Sequence, residues 1–65
     1  MYRVQVEMPS GAVSIGVERN DEESALTAYN AYLRQVKAMP YFTAEVILSE
    51  DGVEIQREKV SNNAA

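Results

Sequence analysis

The chain of 65 residues contains no cysteine, no histidine and no tryptophan. Without cysteine it can form neither a disulfide nor a thiolate metal site. Without histidine it lacks the side chain that most often acts as a general base and as a metal ligand. No serine can therefore be activated by the usual histidine partner. We expect a protein that is not an enzyme and that uses no metal and no cofactor.

Long hydrophobic runs are also missing. No apolar stretch approaches the roughly 18 residues of a membrane span, and the N-terminus lacks the hydrophobic block of a secretory signal. We therefore expect a cytoplasmic protein with no membrane partner. The content of 46% apolar and 25% charged residues is typical of a globular domain. The net charge of −4 disfavours direct nucleic-acid binding, because a phosphate backbone repels an acidic protein.

The N-terminal segment shows the alternation of a half-buried β-strand, with Tyr2, Val4, Val6 and Met8 on one side. A tight turn on Ser10-Gly11 would start a hairpin, since Gly11 supplies the positive φ that such a turn needs. This turn predicts three cross-strand pairs on a single face, namely Met8 with Val13, Val6 with Ile15 and Val4 with Val17. Gly16 in mid-strand indicates either a close approach by another side chain or a bulge.

One uninterrupted helical pattern runs from Asp21 to Met39. Asn20 is the predicted N-cap, with Glu23 completing a capping box, and Pro40 prevents the helix from continuing. The residues predicted to share its buried face are Ala25, Leu26, Tyr29, Leu33 and Val36, with Tyr32 on the flank.

A second hairpin is predicted from Phe42 to about Lys59, with its turn at Asp51-Gly52. A two-residue loop would put Leu48 opposite Ile55, whereas a four-residue loop would put Leu48 opposite Val53. Both registers keep the apolar side chains on one face. Beyond Ile55 the inward positions would be Arg57 and Lys59, which predicts a strand near the edge of the sheet.

These segments predict an α+β fold of the form ββαββ, a four-stranded antiparallel sheet with one helix packed on one face. Residues 1–60 would form a single domain, and residues 61–65 a flexible C-terminal tail. The connection between the hairpins should be right-handed. The spatial strand orders 2-1-3-4 and 1-2-4-3 both satisfy the pattern.

The acidic residues do not form a recognisable catalytic or metal-binding motif. Glu22 and Glu23 diverge by about 100° on a helix, so they complement its dipole rather than converge on a substrate. Asp51 beside Gly52 is a turn signal, because a calcium loop needs alternating carboxylates and a distant glutamate. These residues are therefore explained by local structure.

The predicted sheet face opposite the helix is strongly acidic, with five glutamates against one arginine. Its expected members are Arg3, Gln5, Glu7, Ser14, Glu18, Tyr41, Thr43, Glu45, Ile47, Glu54, Gln56 and Glu58. Such a face could dock on a protein partner with a basic surface, with Tyr41 and Ile47 as apolar anchors. The helix flank around Tyr32 is a second candidate contact surface. The candidate partner-binding residues are Glu7, Glu18, Tyr41, Glu45, Ile47, Glu54, Glu58 and Tyr32.

The layout of two hairpins around an acidic-capped helix in a short acidic chain resembles several small bacteriophage or mobile-element proteins. Those proteins bind and inhibit a host enzyme. The resemblance is one of size and arrangement, and it implies no site residue. The leading hypothesis is a small acidic protein-binding module, an inhibitor or adaptor that occupies a basic surface of a macromolecule, with nucleic-acid charge mimicry as one variant. The alternative is a structural or homo-oligomeric module, such as a homodimer, that assembles through a sheet edge or the helix flank.

Overall fold

A computed structural model of the chain describes residues 1–61 and shows one sheet and one helix in the order ββαββ. The elements are β1 (Tyr2–Glu7), β2 (Val13–Arg19), α1 (Glu22–Ala38), β3 (Thr43–Glu50) and β4 (Val53–Ser61). All strand pairs are antiparallel and the spatial order is β2-β1-β3-β4. The predicted fold class is confirmed, and the first of the two open strand orders is the correct one.

The C-terminal tail predicted for residues 61–65 overlaps the sheet at its first residue, since Ser61 ends β4. The other four residues lie outside the described part of the chain. Within residues 1–61, α1 has neither the length nor the apolar character needed to cross a membrane.

The core lies between α1 and the two central strands, β1 and β3. Its buried members are Val4, Ala25, Tyr29, Leu33, Val36, Ala44, Val46, Leu48 and Val60. Val4 lies opposite Leu48, and Val6 lies opposite Val46. The predicted helix face is confirmed, although Leu26 and Tyr32 are half-buried at its margin.

Asp21, and not the predicted Asn20, is the N-cap of α1. The backbone N–H of Ser24 donates to Asp21 Oδ2 over 2.9 Å, and Asp21 has the extended backbone of a capping residue. This hydrogen bond from Ser24 lowers the pKa of Asp21. Glu22 and Glu23 fill the first turn, where carboxylates complement the helix dipole.

The first hairpin has a three-residue loop, Pro9-Ser10-Gly11, in place of the predicted two-residue turn. The N–H of Gly11 donates to the carbonyl of Met8 over 2.9 Å, and the N–H of Met8 donates to the carbonyl of Ala12 over 2.8 Å. Gly11 has a φ of 94°, which glycine adopts without strain. The longer loop slips the register by one residue, so that Val13 lies opposite Glu7 and Ile15 opposite Gln5.

This slip moves Val13 and Ile15 to the face away from the helix, where they are 50% and 59% exposed. Their predicted place on the helix face is therefore wrong, because a shift of one residue reverses every side chain of a strand. A bulge at Gly16 then restores the predicted pair of Val4 with Val17. A Cβ atom on Gly16 would lie 2.8 Å from the Tyr32 ring, so Gly16 provides both the bulge and the close approach.

The second hairpin turns on Asp51 and Gly52, as predicted, with φ values of 50° and 86°. This two-residue loop pairs Glu50 with Val53. A bulge between Leu48 and Ser49 adds one residue on β4, Ile55, so that Leu48 lies opposite Gln56. Both predicted registers for Leu48 are therefore wrong, because neither included an extra residue.

The bulge also reverses the expected faces of β4. Gln56, Glu58 and Val60 lie on the helix side, opposite Leu48, Val46 and Ala44, while Arg57 and Lys59 lie on the other side. Burial raises the pKa of Tyr29 in the core, and the negative charge of Glu58 acts in the same direction. Gln56 faces the buried Tyr29 hydroxyl without the geometry of a hydrogen bond.

Candidate functional site

The sheet has one face that α1 does not cover, which we call the outer face. The strand registers assign it these residues: Arg3, Gln5, Glu7, Val13, Ile15, Glu18, Thr43, Glu45, Ile47, Ser49, Glu54, Arg57, Lys59 and Ser61. Part of this face is a shallow depression, and its lining includes Gln5, Val13, Ile47 and Arg57.

Arg57 is the centre of the outer face, because its guanidinium group binds glutamates from three strands. Its Nε and Nη2 atoms donate to the two carboxylate oxygens of Glu54 over 2.9 and 2.8 Å. Its Nη1 atom lies 3.0 Å from Glu45 and 3.3 Å from Glu7. The bidentate geometry to Glu54 fixes the plane of the guanidinium group. We call Arg57 with Glu7, Glu45 and Glu54 the Arg57 cluster.

The side chain of Arg57 must cross β3 to reach Glu7, since β3 lies between β4 and β1. Ile47 lies directly opposite Arg57 in the register and is only 6% exposed. A long aliphatic stem can cover an apolar side chain while its charged end remains hydrated. Ile47 is therefore on the predicted face, but it is the buried base of the Arg57 cluster rather than an exposed anchor.

Hydrogen bonds favour the charged forms of Glu54 and Arg57. The Arg57 guanidinium lowers the pKa of Glu54, and the glutamates Glu54 and Glu45 raise the pKa of Arg57. Both groups are consequently charged at neutral pH. Three carboxylates surround one guanidinium, so the cluster has an excess of negative charge.

A second ion pair, Arg3 with Glu18, links β1 to the edge strand β2. Arg3 Nη2 and Nε donate to Glu18 Oε2 over 2.8 and 3.1 Å. Every glutamate of the outer face is thus paired with an arginine. With four glutamates and three basic residues, the face is much closer to neutral than the five-to-one ratio that the sequence predicted.

Two of the predicted partner-binding residues lie on the opposite side of the sheet. Glu58 faces α1 and its carboxylate lies 3.0 Å from Lys37 Nζ, because the bulge in β4 reversed its direction. Tyr32 is on the helix flank, where the sequence placed it, and its ring packs against Gly16. Ser14 and Gln56, like Glu58, were predicted on the outer face and lie on the helix side instead.

Tyr41 is in the turn between α1 and β3, where it is 73% exposed. Its φ of 58° is in the left-handed region, which is uncommon for an aromatic residue. The structure thus brings Glu7, Glu45, Glu54 and Ile47 together and places Glu18 beside Arg3. It leaves Tyr41 in a connecting turn and Glu58 and Tyr32 on the other face.

The residues that sequence reasoning missed are Arg57, Val13 and Ile15. The Pro9-Ser10-Gly11 triplet was a usable signal for the last two, since a type I turn followed by glycine forms a three-residue hairpin loop. No comparable signal marked the extra residue on β4 that brings Arg57 to the outer face.

Three acidic residues that are not on the outer face, Glu22, Glu50 and Asp51, lie near Tyr2. Desolvation raises the pKa of Tyr2, and a hydrogen bond with Glu50 and the charges of Glu50, Glu22 and Asp51 raise it further. The N-terminal ammonium group pairs with Asp51 over 2.8 Å. The acidic character predicted for the outer face is therefore shared with this end of the sheet.

Among the described residues, no group of three or more acidic side chains is arranged to hold a metal ion. Comparisons with protein-family models, with curated proteins and with solved structures find no match to this chain.

Proposed function

We propose that this protein is a non-enzymatic binding module whose outer face docks on the basic surface of another protein. The observation that carries the proposal is the Arg57 cluster. Its three glutamates are held in one geometry by a single arginine, next to the exposed side chains of Val13 and Ile15 on the same face.

A preorganised cluster suits binding because little side-chain freedom is lost when a partner arrives. The Arg57 contacts with Glu7 and Glu45 each involve one carboxylate oxygen, so a second oxygen of each glutamate can accept from lysine or arginine of the partner. Ion pairs surrounded by apolar area match the polar and apolar parts of typical protein interfaces.

The ion pairs that the glutamates form favour an inhibitor or adaptor over a nucleic-acid mimic. A nucleic-acid mimic presents rows of unpaired negative charge, whereas the outer-face glutamates are each bound by an arginine. The arrangement supports an inhibitor or adaptor that recognises a mixed surface with a basic centre. Glu7, Glu45 and Glu54 are its main contact residues, with Glu18 at the margin.

The test compares two variants that remove the same amount of charge from different surfaces. One carries Glu45→Gln with Glu54→Gln in the Arg57 cluster, and the matched control carries Glu22→Gln with Glu23→Gln in the first turn of α1. Each full-length protein is immobilised and exposed to a lysate of the source organism. Circular dichroism verifies that both variants are folded.

We expect a partner that the wild-type protein and the control retain and that the cluster variant loses. The affinity of the purified partner should fall as salt is raised, because exposed charge pairs are screened. Retention of the same partner by all three proteins would refute the role of the outer face.

A further inference from the structure

The two edges of the sheet differ in how they are protected. Exposed edge strands invite pairing with other chains, and charged side chains are a common protection. The β4 edge carries four such residues, Glu54, Arg57, Glu58 and Lys59. In contrast, the segment from Met8 to Val17, which includes the first five of the seven residues of β2, contains no charged side chain. The open β2 edge therefore lacks this protection.

The pair of Met8 with Ala12 shows which residues of β2 direct their backbone N–H and carbonyl groups toward β1 and which direct them toward the open edge. The N–H of Met8 donates to the carbonyl of Ala12, so these two residues face each other with their backbone polar groups. Hydrogen-bonded pairs alternate with non-hydrogen-bonded pairs in an antiparallel ladder. Ser14 therefore bonds toward Val6, while Val13 and Ile15 direct their N–H and carbonyl groups to the open edge.

The same two residues expose apolar side chains on the outer face, where Val13 is 50% and Ile15 is 59% exposed. Ser14 points to the opposite face, because its partner Val6 is on the helix side. Open backbone groups and exposed apolar side chains thus coincide over residues 13–15.

We propose that a second copy of this chain pairs antiparallel with residues 13–15 of β2, about a two-fold axis at Ser14. In this register Val13 of each copy lies opposite Ile15 of the other, and each such pair closes two backbone hydrogen bonds. The four apolar side chains form one cluster on the outer face, and the two sheets join into one continuous sheet.

A second copy suits this edge because the register is self-complementary. The axis at Ser14 pairs residues that already lie on the same face, and the flanking pair, Ala12 with Gly16, carries no charge. An axis at Ile15 would instead oppose Val13 on the outer face with Val17 on the helix side. One symmetric contact thus gives hydrogen-bond partners to the open backbone groups of both copies and covers Val13 and Ile15 of each copy.

The segment is short, and the bulge at Gly16 ends it, so the dimer should dissociate reversibly on dilution. The contact uses none of the residues of the Arg57 cluster, although Val13 and Ile15 lie beside that cluster on the outer face. The two proposals remain distinguishable, because Glu45→Gln with Glu54→Gln leaves the β2 edge intact and the lysine substitutions at Val13 and Ile15 leave the Arg57 cluster intact.

The first test is sedimentation velocity of the full chain over a concentration series. We expect a monomer–dimer equilibrium for the wild-type protein. Val13→Lys with Ile15→Lys should abolish the dimer, because lysine would face lysine in both pairs. Val13→Lys with Ile15→Glu should retain it, since the proposed register then opposes opposite charges. The matched control, Val53→Lys with Ile55→Lys on β4, should dimerise like the wild-type protein.

A monomer at every concentration would overturn the proposal. Equal loss of the dimer in the two β2 variants would refute the register. Loss in the β4 control alone would assign the contact to the other edge.

The second test uses the absence of cysteine in the chain. Ser14 would lie opposite its own copy in a non-hydrogen-bonded pair, where Cα atoms are about 4.5 Å apart. This separation lies in the range of roughly 4.4 to 6.8 Å found in disulfides. Ser14→Cys should therefore form a covalent dimer under mild oxidation much faster than Ser10→Cys in the adjacent loop. Equal rates for the two variants would contradict an axis at Ser14.

Discussion

Gly16 shows how one residue can serve two neighbouring elements. Its extra position in β2 forms the bulge, and its missing side chain leaves room for the ring of Tyr32, 2.8 Å from where a Cβ would lie. The Tyr32 ring is half-buried at the sheet margin, so it can move outward only by giving up contacts with the core. The tyrosine that the sequence offered as a partner contact is thus already engaged within the molecule.

We expect Gly16→Ala to lower the free energy of unfolding by about 1 to 3 kcal/mol, because the added methyl group meets the Tyr32 ring. In a Tyr32→Ala background the same change should be neutral or slightly stabilising, since alanine loses less backbone entropy than glycine on folding. Urea unfolding of the four proteins of this cycle measures the coupling. An equal effect of Gly16→Ala in both backgrounds would mean that Tyr32 is not the cause.

The N-terminus of α1 and the two hairpin loops each depend on one or two residues. Asp21 caps α1, Gly11 ends the first hairpin loop, and Asp51 with Gly52 turns the second hairpin. Tyr41 has the same left-handed backbone without the freedom of glycine. Local residues therefore determine where these elements begin and end. They do not by themselves determine which side chains of the strands face the helix.

The cap of α1 gives a pH-dependent prediction. The folded-state pKa of Asp21 lies below its ordinary value of 3.8, so its contribution to stability is complete above that pH and is lost as the pH falls through the lowered pKa. Asp21→Ala should reduce the urea midpoint at neutral pH, whereas Asp21→Asn should retain a capping oxygen. The difference between wild type and Asp21→Asn should shrink on acidification.

Asn20→Ala provides the control, because Asn20 is the cap that the sequence suggested and that the structure does not use. It should leave the urea midpoint almost unchanged. A larger loss for Asn20→Ala than for Asp21→Ala would place the cap one residue earlier.

At the scale of the whole molecule, a single helix covers one face of a four-stranded sheet, and the core is correspondingly thin. A chain of this size is expected to have a free energy of unfolding of about 3 to 10 kcal/mol. The outer face has no second layer among the described residues. Its apolar Ile47 is buried opposite Arg57, and Val13 and Ile15 remain exposed at the β2 edge.

This arrangement predicts a large loss of stability for one apolar substitution and almost no change for a similar one. Leu48→Ala should destabilise the protein by about 2 to 5 kcal/mol, because Leu48 is fully buried between the sheet and α1. Ile15→Ala should change the stability of the monomer by no more than about 0.5 kcal/mol, because Ile15 is exposed. Urea unfolding at low protein concentration measures both. Comparable losses would restore Ile15 to the core, as the simple alternation of the strand had suggested.

Local pattern by itself determined the existence, type and order of the elements. The alternation of Val4 and Val6, the helical spacing of Tyr29 and Leu33, and the turn at Asp51-Gly52 each report on a few neighbouring residues. The periods of strands and helices are local properties, and the core residues of β1, α1 and β3 followed from them correctly. The strand order remained open, because both orders bury the same apolar residues.

Tertiary structure decided which way the edge strands face, although the Pro9-Ser10-Gly11 triplet was a local signal for the start of β2. The three-residue loop moved Ile15 outward, the bulge at Gly16 returned Val17 to the helix side, and the extra residue near Ile55 moved Arg57 onto the outer face. A bulge depends on how two strands and the helix fit together, and it leaves little trace in the alternation of one strand. The candidate site, an arginine binding glutamates from three strands, exists only once those strands are side by side.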